Sequence, residues 1–546
     1  MQKFYWLTII IWQKQTLEFL QIINSCCYYS LFLAQFRFYI MKGTLHFLSL
    51  RKNFDAFLFA LAAWGVVFLF TRHGGIGLSP DSVSYLAAAK NFYEKGSLTV
   101  FCNAPLCYFP AFYPVFLSGI IFITKQSPVA FGTMLNGFFF GAVIYLSGCM
   151  LQRFINFSRL YKNIILLCIL CSASLIEVYY MLWSETLFIF LLLVFFIAIH
   201  RYFYSLTLSS LLLAAFIAAL ACVTRYTGVT LIGTGCLLIV FDKFTNWKKK
   251  LLHGIVFIAA SLSLLSVNLI YNYMRTGFLT GNRQRGTLPL IKNVETVGSV
   301  AGSWLPFFNS APAIAKALAI IAFALACFCF VKHIFKKIYY YSYENIALSF
   351  FIVYIFFIVV SSTLSFFGTL DNRLLSPVYI PFLFGITYTF PLIIKKSKGF
   401  LKPAFLCGFL LLAFFFIRNQ VLQSEDLYED ANENGIPGFS DDSWRYSSVI
   451  NWLHQNNQIL GSQYTMYTNS IEAMYLFTSG NYCWLPHQVN KEEVKQFLNK
   501  DSYYIIWFTT NIDNWGTITP DFIEQNTKLT LVKSLPDGNI YWCDKQ

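Results

Sequence analysis

The chain has 546 residues, 57% of them hydrophobic and 12% charged. A soluble domain carries roughly 25% charged residues, so the composition excludes an ordinary soluble protein and predicts a polytopic α-helical membrane protein. The net charge of +14 does not signal nucleic acid, because the Lys and Arg gather in short runs between hydrophobic segments, where membrane topology requires them.

Residues 1–40 hold short, broken apolar stretches and read as a start-site artefact or an extension, with an added anchor helix as the alternative. Met41 opens a cytoplasmic segment that ends at residue 53. Residues 54–420 read as a transmembrane domain of about eleven spans: 54–71, 129–151, 163–181, 186–200, 207–223, 228–241, 251–271, 313–331, 346–364, 377–394 and 404–417. Between the first two lies a long polar interruption, residues 72–128. It contains Ser79-Pro80-Asp81, a helix start with proline in the first turn. Asp81 and Tyr85 then fall one turn apart.

The apolar segment 111–124, with Tyr113 near its start, is too short to span. Placing the six clustered basic groups, those beginning at Arg51, Arg153, Arg201, Lys243, Lys332 and Lys395, in the cytoplasm also requires an even number of crossings between Lys52 and Arg153. The segment is therefore predicted to lie at the outer interface. The same rule puts the 72–128 loop, the corners at 183–185 and 224–227, and the connections 272–312 and 365–376 on the exoplasmic face.

Those few segments hold most of the polar chemistry. Glu185 follows Ser184, which suits a helix cap, and Glu177 stands about two turns earlier. Asp81 and Glu185 each also suit a first-turn position for helix-dipole reasons alone. As a pair they are candidates to bind a divalent metal or one acceptor hydroxyl; no other cofactor is indicated. Arg225, Arg283, Arg285 and Arg373 occupy the same face, and arginine suits bidentate phosphate recognition. Snorkelling anchors, or a solvated loop face for Arg283 and Arg285, are the structural alternatives. No Asp, Glu, Lys, Arg or His falls in the middle of a span, which disfavours an ion-coupled transporter. In the loop, Cys102 and Cys107 are placed to bridge on an oxidising side of the membrane. Cys483 and Cys543 form a second candidate pair, with free buried thiols as the alternative for both pairs. Residues 424–546 have soluble composition and alternate strand-like and helix-like stretches, which predicts a small exoplasmic α/β domain.

The order of these motifs resembles the GT-C superfamily, in particular the bacterial relatives of protein O-mannosyltransferases and lipid A aminoarabinose transferases. The resemblance rests on SerProAspSerValSerTyr (79–85), PheTyrProValPheLeu (112–117), SerGluThrLeuPhe (184–188), ThrArgTyrThrGly (224–228) and AspAsnArgLeuLeuSerPro (371–377). It implies a multi-pass enzyme of a bacterial cytoplasmic membrane that moves a sugar from a polyprenyl-phosphate donor to a glycan, lipid or protein acceptor. Asp81 would be the base, Glu185 the second acid, and Arg373 with Arg225 the phosphate partners. Arg283 and Arg285 would serve the donor phosphate, and Tyr85 and Tyr113 the substrate pocket. Asp81 is followed by Ser82 rather than the second acid of the mannosyltransferases. A transporter or flippase of lipid-linked sugars is the alternative.

Overall fold

The computed structural model describes residues 48–308, 311–366, 368–460, 463–510 and 516–544. The expectation for residues 1–40 lies outside them. The first helix, α1 (Phe54–Phe70), leads into the segment that carries α2 (Pro80–Lys95) and α3 (Phe112–Thr124). Next come α4 (Pro128–Leu151), α5 (Arg159–Leu170), α6 (Ala173–Tyr180), α7 (Ser184–Ser205), α8 (Leu208–Thr224), α9 (Val229–Phe241) and α10 (Trp247–Thr276). After them stand α11 (Leu290–Ser303), α12 (Pro312–Ile334), α13 (Tyr343–Leu364), α14 (Asn372–Thr387) and α15 (Leu401–Asn434). Residues 55–546 pack as one unit.

Among the described residues, seven helices are long and apolar enough to cross a membrane, and α5 with α6, bent by 51°, makes an eighth. An eleven-span count also needs α1, α8 and α9, which have 17, 17 and 13 residues. The interfacial candidate α3 is a helix of 13 residues. The protein is therefore a multi-pass membrane protein, with α7 at its centre. The core stretch Leu187–Phe196 is almost wholly inaccessible, whereas α12 and α15 present long apolar faces outward.

The change to soluble composition does not coincide with a break in the chain. Residues 424–434, predicted to open the C-terminal domain, continue α15 without interruption to Asn434, and Gly435 ends it. Glu and Gln are good helix formers, so the polar stretch marks where α15 leaves the apolar zone rather than where it stops. Beyond it lies a five-stranded sheet: β1 (Met466–Thr468), β2 (Tyr482–Trp484), β3 (Tyr503–Phe508), β4 (Lys528–Leu535) and β5 (Gly538–Asp544), in the order β2-β1-β3-β5-β4. β1 pairs in parallel with β2 and β3, and β5 runs antiparallel between β3 and β4.

The cysteine pairing differs from both expected pairs. Cys102 is bonded to Cys483, with Cα atoms 5.6 Å apart, and Cys107 and Cys543 are buried thiols. Cys102 sits at the tip of a turn closed by the Thr99–Pro105 bridge, so it projects away from Cys107. Cys483 on β2 and Cys543 on β5 are separated by β1 and β3. Three strand spacings amount to about 14 Å, twice the reach of a disulfide. The bond ties the loop to the edge strand of the C-terminal sheet. Phe101 packs beside it against Tyr475 and Trp484, with ring centroids 5.3 and 5.2 Å away.

Candidate functional site

Asp81 owes its position to the chain on either side of α2. Ser79 caps the helix: its hydroxyl accepts from the Ser82 amide at 3.4 Å, and the Ser82 hydroxyl accepts from the Ser79 amide at 3.1 Å. Asp81 thus lies in the first turn, where the free amides favour a carboxylate. The approach segment is held on both sides. The Gly77 amide donates to the Tyr180 carbonyl at 2.8 Å, and the Phe439 amide donates to the Leu78 carbonyl at 2.7 Å. Only glycine fits at 77, because a Cβ would run into Met181 Sδ and Ile436 Cγ2. Gly438 has φ of +108° and lies against the Leu78 carbonyl, so its close approach also requires glycine.

Glu185, in the first turn of α7, is fully buried. A buried carboxylate needs cationic partners and hydrogen bonds, and it has both. Arg225, at the end of α8, bonds it through Nη1, and Arg373, in the first turn of α14, bonds it through Nε. Ser184 Oγ donates to it at 3.3 Å, accepts from Arg225 Nη1 at 3.0 Å and meets the Tyr85 hydroxyl at 3.2 Å. Arg373 also reaches across to Asp81, Nη2 to Oδ2, at 2.6 Å. Its guanidinium lies over the Trp183 ring, 4.0 Å from the centroid.

Four residues separated by up to 292 positions therefore form one network of two acids and two arginines. The network opens onto a cavity of about 810 Å³ whose walls include Asp81, Tyr85, Ser184, Arg225 and Arg373. Burial, reinforced by the charges of Asp81 and Glu185, pushes the Tyr85 phenol far above its ordinary range. Tyr85 is thus a hydrogen-bonding wall rather than a base.

Other predicted residues fall in different places. Arg283 lines the same cavity, where it donates to the Tyr108 and Thr280 carbonyls at 3.0 and 3.1 Å. Arg285 is exposed, and its backbone pairs with Ser365 beside the cavity rather than presenting the side chain to it. Tyr113 is a correction. It is fully buried and meets Tyr85 edge-on at 5.1 Å, because α3 packs its apolar face onto α2; it backs the cavity wall and does not face the cavity. Glu177 also lies outside the lining.

The residues do not fit a divalent cation shared by Asp81 and Glu185. Arg373 stands between them with one nitrogen on each carboxylate. Among the described residues there is also no cluster of three or more His, Cys, Asp or Glu. Trp183 was not anticipated, since a tryptophan in an apolar sequence carries no signal of a charged neighbour.

A further carboxyl approaches from the C-terminal domain. Glu472 lies on the helix Ile471–Phe477, which packs on α2. Burial chiefly, with the charge of Asp81 adding, pushes its carboxyl up to about 7. A carboxyl that holds its proton more tightly folded than unfolded lowers stability as pH rises from about 4.5 to 7. Glu472→Gln removes that loss: it is expected to stabilise the protein at about pH 8 by at most about 3 kcal/mol and to change nothing at about pH 4. Thermal inactivation half-lives at the two pH values check this; equal effects at both contradict it.

No protein-family model matches the sequence, and no curated protein matches it. Solved structures do. ArnT from Cupriavidus metallidurans in the apo state aligns with a TM-score of 0.54 at 11% identity, over 89% of this chain and 97% of that one. ArnT bound to undecaprenyl phosphate aligns at 0.54 and 12%, with the same coverage. The Archaeoglobus fulgidus oligosaccharyltransferase tethered with an acceptor peptide aligns at 0.51 and 12%, over 86% of this chain and 70% of that one. Such identities speak for architecture alone. The chain has the GT-C fold, the multi-pass membrane architecture of these glycosyltransferases.

Proposed function

We propose that the protein is a glycosyltransferase that moves a sugar from a polyprenyl-phosphate donor to an acceptor hydroxyl on the exoplasmic side of a bacterial cytoplasmic membrane. The observation that carries this reading is the network itself: Arg373, at the wall of one large cavity, bonds both Asp81, which also lines it, and the buried Glu185, which does not. One of the similar structures is ArnT bound to undecaprenyl phosphate, and another is an oligosaccharyltransferase holding an acceptor peptide. A lipid-borne phosphate and an acceptor are the two ligands this cavity would take.

In this reading Asp81 takes the acceptor proton, and Arg373 with Arg225 stabilises the departing phosphate. Phosphate is already a good leaving group, so the protein supplies a base, orientation and charge stabilisation. In-line attack would invert the anomeric centre. Arg283 adds a third arginine to the cavity wall beside Arg225 and Arg373, and Arg285 a charge near its rim. The donor class, the acceptor and whether the sugar is a hexose or a pentose belong to the same proposal.

The helix that starts at the cavity supports the exoplasmic placement. Thr227 lines it, α9 runs away from it to Phe241, and Lys243, Lys248, Lys249 and Lys250 follow at the far end. Basic runs mark the cytoplasmic side, which supports a cavity and a C-terminal sheet on the opposite side.

Washed membranes containing the protein, given a radiolabelled polyprenyl-phosphate hexose or pentose, test the reading. Label is expected on an acceptor, with free polyprenyl phosphate left behind. Label that stays on its lipid while crossing the bilayer would instead identify a transporter.

A further inference from the structure

The mechanism above leaves Trp183 unused, yet its surroundings are specific. It is 7% exposed. Its carbonyl accepts from the Thr186 hydroxyl at 2.8 Å, and its amide donates to the Met181 carbonyl at 2.8 Å. The indole face carries the Arg373 guanidinium at 4.0 Å. The indole N–H donates to Ser79 Oγ at 2.7 Å, and Ser79 caps the helix that holds Asp81. One side chain therefore touches both the cation and the support of the acid that this cation binds. Cations prefer the face of tryptophan to other rings, and a ring held by its N–H, on a main chain itself bonded at carbonyl and amide, does not follow the guanidinium if it drifts.

We propose that Trp183 is a positioning residue: it holds Arg373 where its Nη2 can pass from the Asp81 carboxylate to the donor phosphate as the sugar is transferred. The inference rests on the glycosyltransferase reading. In the transfer, the acceptor oxygen forms a bond to the anomeric carbon, and the bond between that carbon and the phosphate oxygen breaks, its electron pair going to the phosphate. The acceptor proton goes to Asp81. The phosphate diester, with one charge, becomes a monoester with two, while Asp81 loses its charge. The net charge around Arg373 is unchanged, but its location moves from the acid to the phosphate. Arg373 keeps Glu185 through Nε, so only the Nη2 partner has to change. A guanidinium free to rotate would stay with Asp81 and oppose its protonation. The ring beneath Arg373 keeps both partners within reach.

Wild type, Trp183→Phe, Trp183→Leu, Ser79→Ala and the Ser79→Ala/Trp183→Phe double variant, each in lipid vesicles, are compared for transfer from a polyprenyl-phosphate sugar. The same preparations are compared for equilibrium binding of tritiated polyprenyl phosphate. Binding stoichiometry per chain is expected to be equal in all. Loss of the N–H in Trp183→Phe lowers kcat about tenfold, and loss of the ring in Trp183→Leu lowers it about a hundredfold, with donor KM within about twofold. The double variant is slower by less than the product of the two single effects, because the hydrogen bond that both remove is lost only once.

A fall in stoichiometry that matches the fall in rate assigns Trp183 a folding role and overturns the proposal. So does wild-type kcat in Trp183→Leu, or a multiplicative double variant. Should Trp183→Leu fail to insert, Trp183→Phe and the cycle with Ser79 decide alone. An inactive wild type overturns the glycosyltransferase reading instead.

Discussion

Asp81→Asn is expected to lower sugar transfer by about 10³-fold or more, at the upper range of what a positioned base contributes, while the protein still inserts and binds polyprenyl phosphate. Asparagine keeps the size of the side chain and gives up a charge–dipole contribution of about 0.3–1 kcal/mol in the first turn, while the Ser79 cap remains, so α2 should survive. It cannot take the acceptor proton. It also gives up the charge that holds Arg373 Nη2 at 2.6 Å, which frees that nitrogen for phosphate. The variant should therefore bind polyprenyl phosphate at least as tightly as the wild type, and slow catalysis with undiminished binding separates a lost base from a damaged site. Asp81→Ala should be equally slow but bind with the same stoichiometry. Full transfer by Asp81→Asn would remove Asp81 from the chemistry.

Much of this site is written locally in the sequence. Ser79-Pro80-Asp81 and Ser184-Glu185 are helix starts whose acids fall in the first turn, and both do so here. Arg225 and Arg373 follow or begin helices, which places them at helix ends, and the basic runs set which ends share a face. What the sequence does not carry is tertiary choice. The Cys102 partner depends on which strand lies at the sheet edge, and that is decided by crossovers among β1, β2 and β3. Tyr113 is a pocket residue only by the resemblance of PheTyrProValPheLeu (112–117), and the packing of α3 on α2 buries it. Arg373 looks free in sequence, whereas in the structure it is saturated by two acids. Helix α15 outlasts its apolar stretch because Gly435, not polarity, stops it.

Glu185→Gln tests the other half of the network, and its largest effect should be on stability. Glu185 is fully inaccessible and faces two guanidiniums whose side chains are 14% and 18% exposed. Desolvating those cations is tolerable only while the carboxylate compensates them. Removing one partner from a buried ionic group costs about 3–5 kcal/mol, chiefly because the remaining charge is stranded. Glutamine keeps the shape and one acceptor but leaves Arg225 with Ser184 as its remaining polar partner at the site. Arg373 is left with Asp81 as its ion-pair partner. The inactivation half-life in detergent should shorten by about a hundredfold or more, and transfer should fall with it because Arg373 is no longer fixed at Nε. Removing the stranded charge as well, in Glu185→Gln/Arg225→Gln, restores neutrality and should recover much of the half-life. It should not recover transfer, since one of the two phosphate partners is then gone. That divergence between stability and activity in the double variant is the decisive outcome. A single Glu185→Gln variant as durable and as active as the wild type would mean that the buried carboxylate neither supports the fold nor orients the arginines.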